Sequence, residues 1–296
     1  MCIRDRIEEG RAMNATGTGI TGGDPMLDME RSLEAVKQLK AAFGPEHHIH
    51  LYTSIPFNPD NCSRFAKAGL DEIRFHLLDG TISKYLPVID GCHNAGINVG
   101  IELPCEPDKE TDLLALLDSM NGSNIQFLNL NELEITVGNQ DNMDVRGFNL
   151  AGGITAAAEG SAALAIELKK AADKLNFHVK FCTASYKDAG QLRSRFRRRG
   201  EATLRPYEVL SEDDTILFGA IPCSLEDAAD DMNDIADFLK LHENWIRFDG
   251  SSRRIEIPLS AAEEIAEHLS VPVLMVEVHP THERLEVGVV NLNQYR

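Results

Sequence analysis

The side chains of this sequence that could do chemistry stand at the ends of short apolar runs. Gly22, Gly23, Asp24 and Pro25 close the first run and Thr53 the next. His76, Glu102 and then Asn129, Asn131 and Glu132 close those that follow, and Cys182 ends a later one. Glycine tolerates φ > 0 and lets a ligand approach the backbone closely. Pro25 fixes φ and keeps the run from continuing, and Asp24 puts a carboxylate at the mouth of the turn. The stretch has neither the glycine spacing of a dinucleotide fingerprint nor the lysine of a phosphate loop. It reads as a tight strand-to-helix turn or as a cradle for a small ligand. Asn129 and Asn131 alternate with Leu128 and Leu130, so the two amides share a face. They need partners, supplied by a bound polar ligand or by an internal side-chain network. His76 and Glu102 are each compatible with a satisfied interior group; their joint position at neighbouring strand ends favours function. No convincing lysine stands at a strand end for Schiff-base lyase chemistry. His48 and His50 share a face while His47 precedes the strand, so these three are not expected to form a metal site.

The elements that must hold these groups follow from periodicity. Strands are expected to start near residues 16, 48, 72, 98 and 125, close to the ~30-residue repeat of βα units, which implies a parallel sheet. Asp28 is a plausible helix N-cap, followed by Met29, Leu33, Val36, Leu39 and Phe43 on one apolar face, and Gly44-Pro45 stops that helix. A helix is predicted over 61–68 and another over 82–95. Ala68-Gly69-Leu70 and Ala95-Gly96-Ile97 each close a helix and feed a strand. The period breaks over 136–160, which is rich in Gly, Asn and Asp. It resumes with a helix over 161–175, a strand over 178–183 and a helix over 188–199. From about residue 200 the pattern is a small α+β arrangement, with a strand pair turned at Asp249-Gly250 and a terminal hairpin. The expected fold is α/β: a partial (β/α) barrel over 7–200 and an α+β appendage over 201–296.

Bulk composition narrows the partners. The formal net charge is −18 over 296 residues, which disfavours nucleic acid and anionic membrane surfaces. No apolar run approaches the ~20 residues of a membrane span, and no secretory signal is expected. The six cysteines are scattered without a C-x-x-C, so a reduced cytoplasm is the simpler setting. Local cysteine spacing cannot build an iron–sulfur or zinc site. Arg193, Arg195, Arg197, Arg198, Arg199 and Arg205 form a basic run in this acidic chain. It reads first as an exposed helix end suited to the dipole, and second as a patch for a phosphate-bearing substrate or RNA. Residues 1–6 read as a translated sequencing adapter, and the native chain is then expected to begin upstream.

Four stretches taken as a set resemble an archaeal branch of the radical S-adenosylmethionine (SAM) proteins, related to the pyruvate formate-lyase activating enzymes. They are Gly19-Ile20-Thr21-Gly22-Gly23-Asp24-Pro25, Glu72-Ile73-Arg74-Phe75-His76, Gly100-Ile101-Glu102-Leu103-Pro104 and Leu128-Asn129-Leu130-Asn131-Glu132. Phe181-Cys182-Thr183-Ala184 and the residues after it add to the likeness, which spans most of 12–200. The resemblance implies a radical SAM partial barrel, a [4Fe–4S] cluster, and reductive cleavage of SAM to a 5′-deoxyadenosyl radical with an electron donor such as ferredoxin or flavodoxin. It implies cofactor contacts at Gly22, Gly23, Asp24, Pro25, Thr53, His76, Glu102, Asn129 and Asn131. The first four correspond to a G-G-E-P element that holds the amino group of the methionine moiety, with Asp24 one methylene shorter than the usual Glu. Cys182, where a thiol could quench a radical, and Glu132 are the catalytic candidates, although Cys182 reads first as a core cysteine. The family's C-x-x-x-C-x-x-C cluster motif is absent from the sequence. The expectation is therefore a radical SAM enzyme in its full-length form, with this chain inactive. The rival is a non-catalytic ligand-binding or regulatory barrel that has lost the cluster.

Overall fold

Strands whose apolar residues fall at every second position assemble, in the computed structural model, into two sheets within the described residues 3–294. The chain divides into two compact units, Met1–Ile7 with Ala15–Gly190, and Glu8–Asn14 with Gln191–Arg296. The sequence pattern alone puts that boundary at 200, the structure at 190. Of the six residues read as adapter, Met1 and Cys2 lie outside the described residues, and Ile3 opens helix α1 (Ile3–Ala12).

In the first unit, β1 (Gly17–Ile20), β2 (His48–Thr53), β3 (Glu72–Phe75), β4 (Asn98–Cys105), β5 (Phe127–Glu132) and β6 (His178–Cys182) lie side by side in chain order, all parallel. Helices cross between them: α2 (Met29–Phe43), α3 (Cys62–Ala68), α4 (Leu86–Asn94), α5 (Glu110–Met120), α6 (Gln140–Val145) and α7 (Ser161–Ala172). Sequential parallel order with helical crossovers is the wall of a (β/α) barrel. Among the described residues, β1 pairs with β2 alone and β6 with β5 alone, so the wall is open.

Alternation along the strands sorts the side chains. Ile49 and Leu51, Ile73 and Phe75, Val99 and Ile101, and Leu128 and Leu130 are buried against Val36, Leu39, Phe65, Val88 and Ile89 of the helices. Each such side chain contributes about 1.5–3 kcal/mol when fully buried. The opposite face carries His50, Tyr52, Arg74, Glu102, Asn129 and Asn131, none of them in that core. The caps match the sequence: Asp28 accepts from the Arg31 amide at 3.2 Å to start α2, and Gly69 closes α3 at φ 101°. Helix α4 is shorter than expected. Pro87 occupies its first turn, where a missing N–H costs nothing, so the helix opens at Leu86 and not at 82. Ile82 and Tyr85 still reach the core from the preceding turn. The long segment after β5 holds α6 and two isolated bridges, Glu134 with Ala157 and Leu150 with Ala158.

The second unit is an antiparallel sheet in the order β12-β11-β8-β10-β9, where β8 is Ile216–Pro222, β9 Arg247–Asp249, β10 Arg254–Ile257, β11 Leu274–Val278 and β12 Glu286–Asn291; β7 (Val209–Leu210) pairs with β8. Helices α8 (Arg193–Thr203), α9 (Ala228–Leu239) and α10 (Leu259–Ile265) complete it. The basic run is partly spoken for here. Arg193 and Arg197 donate to the two oxygens of Asp214 at 2.9 and 2.7 Å, and Arg199 to Glu9 at 2.5 Å. Arg205 and Tyr207 both bond the buried Glu256. The exposed-helix-end reading therefore fails at Arg199, whose side chain is 11% exposed and ion-paired.

Candidate functional site

Two hydrogen-bond networks organise the polar side of the first sheet, one at the ends of β1 and β2 and the other within β4 and β5, where β4 runs past Glu102, expected from the sequence to close it, as far as Cys105. One centres on Asp24. After β1 the chain turns through Gly22, at φ 120°, a conformation that favours glycine. Pro25 then starts a short 3₁₀ turn capped by Asp24. The Asp24 Oδ1 accepts from the Met26 amide at 2.9 Å and the Thr53 hydroxyl at 2.7 Å, and Oδ2 accepts from the Ser54 amide at 2.7 Å and hydroxyl at 2.9 Å. Burial raises this carboxyl's pKa, but the hydrogen bonds from Ser54, Thr53 and Met26 outweigh it and hold it below the usual carboxylate range. The ends of β1 and β2 are thereby tied together, and both Asp24 and Thr53 are engaged by the chain itself. Gly22 and Gly23 present open backbone, with no atom within 4 Å of where a Cβ would stand. Beside them, Ile20, Thr21, Gly23, Pro25 and Arg31 line a cleft of about 390 Å³ that does not extend to Glu102.

The other network centres on Glu102, on the polar face of β4. Its Oε1 accepts from the Asn131 amide at 2.9 Å; its Oε2 accepts from the Asn129 amide at 3.1 Å and from Arg74 Nη1 at 2.9 Å. Register explains the convergence: Glu102 stands opposite Asn129, and Asn131 lies one pleat further along the same face. Arg74 also donates to Glu72 at 2.5 Å and to the Tyr52 hydroxyl at 2.7 Å, and its guanidinium lies 5.2 Å from the Tyr52 ring centre. Burial opposes ionisation of Glu102, yet the two amides and Arg74 prevail, so its pKa is lowered. Arg74 is likewise held charged: burial works against it, while Glu72, Tyr52 and Glu102 favour it. Burial, reinforced by Arg74, pushes the His50 imidazole down to about 4. His76 donates from Nδ1 to the Glu102 carbonyl oxygen at 3.1 Å, which leaves Nε2 as the acceptor of the neutral ring.

The remaining candidates separate. Glu132 accepts from the Ala184 amide at 2.7 Å and so fastens the turn after β6. Cys182 is not a core cysteine. Val179 and Phe181 take the apolar positions of β6, and Cys182, part-exposed, stands opposite Asn131 in the register of the polar face. Arg74 enters the sequence analysis only within the Glu72–His76 stretch, and Tyr52 is not among its candidates. The signal that could have found them is alternation, since Arg74 lies between the core residues Ile73 and Phe75.

Packing restricts this face. A Cβ at Gly100 would lie 2.1 Å from the Phe127 ring. Gly100→Ala is therefore expected to cost about 2 kcal/mol in urea unfolding, in the range of overpacked cores. Adding Phe127→Ala should recover part of that loss, as residues in contact couple; a purely additive double variant would count against the steric account.

The donor set suits one of the two groups the resemblance implies and not the other. For a [4Fe–4S] cluster it does not fit. Among the described residues no three cysteines converge; Cys62 and Cys92 alone approach, at 2.6 Å between sulfurs, and both are buried in the core. For SAM, the open backbone at Gly22 and Gly23 and the carboxylate–amide set at Glu102 suit a polar, zwitterionic ligand with sugar hydroxyls.

Residues 214–292 match a family described as a domain of unknown function (DUF8061). Three solved structures are similar at low level. Salmonella typhimurium 3-hexulose-6-phosphate synthase is 14% identical, with 68% of this chain and 93% of that one covered and a TM-score of 0.38. Clostridium difficile type I 3-dehydroquinate dehydratase is 9% identical, with 61% and 70% covered and a TM-score of 0.41. Vibrio cholerae 3-keto-L-gulonate-6-phosphate decarboxylase is 10% identical, with 68% and 94% covered and a TM-score of 0.41. Likenesses this weak carry no functional weight. A Methanocaldococcus jannaschii protein named as a glycyl-radical enzyme activating enzyme is 31% identical over 96% of this chain and 78% of that protein. Identity at that level across nearly the whole chain places it plainly: the chain belongs to the family of this glycyl-radical enzyme activating enzyme, a radical SAM family.

Proposed function

We propose that the polar face of the first sheet is the SAM-binding surface of a radical SAM enzyme of the glycyl-radical-activating kind. The observation that carries this reading is Glu102, held anionic on the polar face of β4 by Arg74, Asn129 and Asn131. In this role Glu102 Oε1 accepts from a ribose hydroxyl, and the amide oxygens of Asn129 and Asn131 accept from further donors of the nucleoside. Nε2 of His76 accepts at the same rim. Gly22 and Gly23 let the methionine end approach the backbone. Asp24 and Thr53, bonded to each other, set the shape of that loop and act as positioning residues. The thiolates that a cluster requires are not assembled by the described residues.

Isothermal titration of this chain with SAM tests the binding half. Saturable binding is expected, and Gly23→Ala, which meets no protein atom within 4 Å, should weaken it at least about tenfold, roughly 1.4 kcal/mol. The same variant should leave the urea midpoint unchanged. Absence of binding at millimolar SAM would overturn the assignment. A second reading, resting on the same open backbone at Gly22 and Gly23, is a ligand-binding barrel without redox chemistry. An N-terminally extended chain, reconstituted anaerobically with iron and sulfide, separates the two. Release of 5′-deoxyadenosine with a strong reductant supports the enzyme, and its absence beside intact SAM binding supports the binder.

A further inference from the structure

From the residues at the starts of β2 and β3, we infer that the protein binds a first-row divalent cation through His48, His50 and Glu72. One nitrogen of each imidazole and one oxygen of the carboxylate lie within 4.8 Å of one another. The histidines come from alternate positions of β2, and parallel register sets Glu72 directly beside His50. The three side chains therefore project from one face of two adjacent strands.

Several observations point to a ligand at this place. The Nδ1 of His50 is buried and makes no hydrogen bond to the described residues. An orphaned interior nitrogen calls for a partner. His48 Nε2 and Glu72 Oε2 are 3.8 Å apart, too long for a hydrogen bond and close to the spacing of two ligands on one ion. Bonds of about 2.0–2.2 Å to nitrogen and oxygen separate neighbouring ligand atoms by roughly 3–3.4 Å, so modest side-chain rotation closes the set. Space for the imidazoles is provided by β1, where Gly17 and Gly19 stand opposite His48 and His50. A Cβ at Gly19 would lie 2.7 Å from His50 Nε2. Arg74 is the cation nearest the set, and it takes the other oxygen of Glu72, Oε1. It thereby orients the carboxylate, as groups behind metal ligands commonly do, while lowering the affinity through its charge. His48 is 43% exposed and gives an entry path.

Two imidazoles with one carboxylate select borderline ions such as Zn²⁺, Co²⁺ or Fe²⁺ over Ca²⁺ or Mg²⁺. The position suits a bridge between β2 and β3, since these are the strand beginnings, the end of a parallel barrel associated with stability and not with catalysis. His47 takes no part: its Nε2 bonds the Thr18 hydroxyl at 2.8 Å and its ring stacks on Phe43. The third ligand comes from the neighbouring strand. This inference does not depend on SAM binding.

The test uses the intact chain stripped with a chelator. Zn²⁺ is followed by calorimetry, and Co²⁺ by its visible absorption, whose intensity reports coordination number. One equivalent is expected to bind, with a rise in thermal midpoint by mass action. His48→Gln, on a part-exposed side chain, and Glu72→Gln, of unchanged size, should each fold and weaken binding at least about tenfold, the scale at which even outer groups act. His93→Ala, outside the set, serves as the control and should bind as the parent does. No saturable binding of either ion at millimolar concentration would overturn the site. So would equal affinity in the parent and both ligand variants, which would place the ion elsewhere.

Discussion

Arg74→Met is expected to destabilise the protein by about 3 kcal/mol in urea unfolding, and Glu102→Gln by about 1 kcal/mol while weakening SAM binding at least tenfold. The asymmetry follows from what each change leaves behind. Without Arg74, the carboxylates of Glu72 and Glu102 face one another across β3 and β4 with no cation, and the Tyr52 hydroxyl loses its donor. Breaking a fully buried pair costs about 3–5 kcal/mol. The side chains here are 19% exposed, so the lower end applies. Without the charge of Glu102 but with its size kept, the one remaining oxygen still accepts from Arg74 and Asn129, and the new amide N–H₂ confronts the Asn131 donor. That mismatch costs about one unsatisfied hydrogen bond. Binding suffers more than stability because a neutral Gln turned to satisfy its neighbours presents no spare acceptor to a sugar hydroxyl. Losses within about 0.5 kcal/mol for both variants would mean that the network is solvated like an ordinary surface pair, and the site would have to be sought elsewhere.

How much of this was legible in advance depends on which interactions are local. Alternation within one strand is local, so Asn129 and Asn131 could be placed on one face from Leu128 and Leu130 alone. Helix ends were legible for the same reason, through Asp28 and Gly69. Cross-strand register is not local. Nothing along β2 states that His50 stands beside Glu72, or along β4 that Glu102 falls between Arg74 and Asn129. The sequence therefore shows candidate groups without showing which of them bond each other. Asp24 and Thr53 illustrate the consequence. Each looks like a ligand contact at its own strand end, yet 29 residues apart they satisfy one another. Cys182 illustrates the reverse. An apolar-looking strand end suggested the core, but period-two sorting with Val179 and Phe181 inward leaves the thiol on the polar face.

The Asp24 tie carries the second large expected effect, and pH separates it from simple loss of packing. Asp24→Asn should cost about 2 kcal/mol at neutral pH. Four donors converge on the carboxylate, from Met26, Thr53 and twice from Ser54. The Asn amide can accept on one side only and turns a donor toward Ser54 on the other. Hydrogen bonds to a charged group contribute about 1.5–3 kcal/mol each when buried; Asp24 is part-exposed, which keeps the total low. The folded pKa of Asp24 is depressed relative to an unfolded value of about 3.9. Its contribution is therefore fully present above pH ~4 and is lost as pH falls through the folded value. The stability gap between parent and Asp24→Asn should be flat from neutral pH down to about 4 and should close below it. Urea midpoints measured across that range check the sign. A gap that stays constant in acid would show that the variant acts through the shape of the Gly22–Pro25 turn and not through the carboxylate's charge.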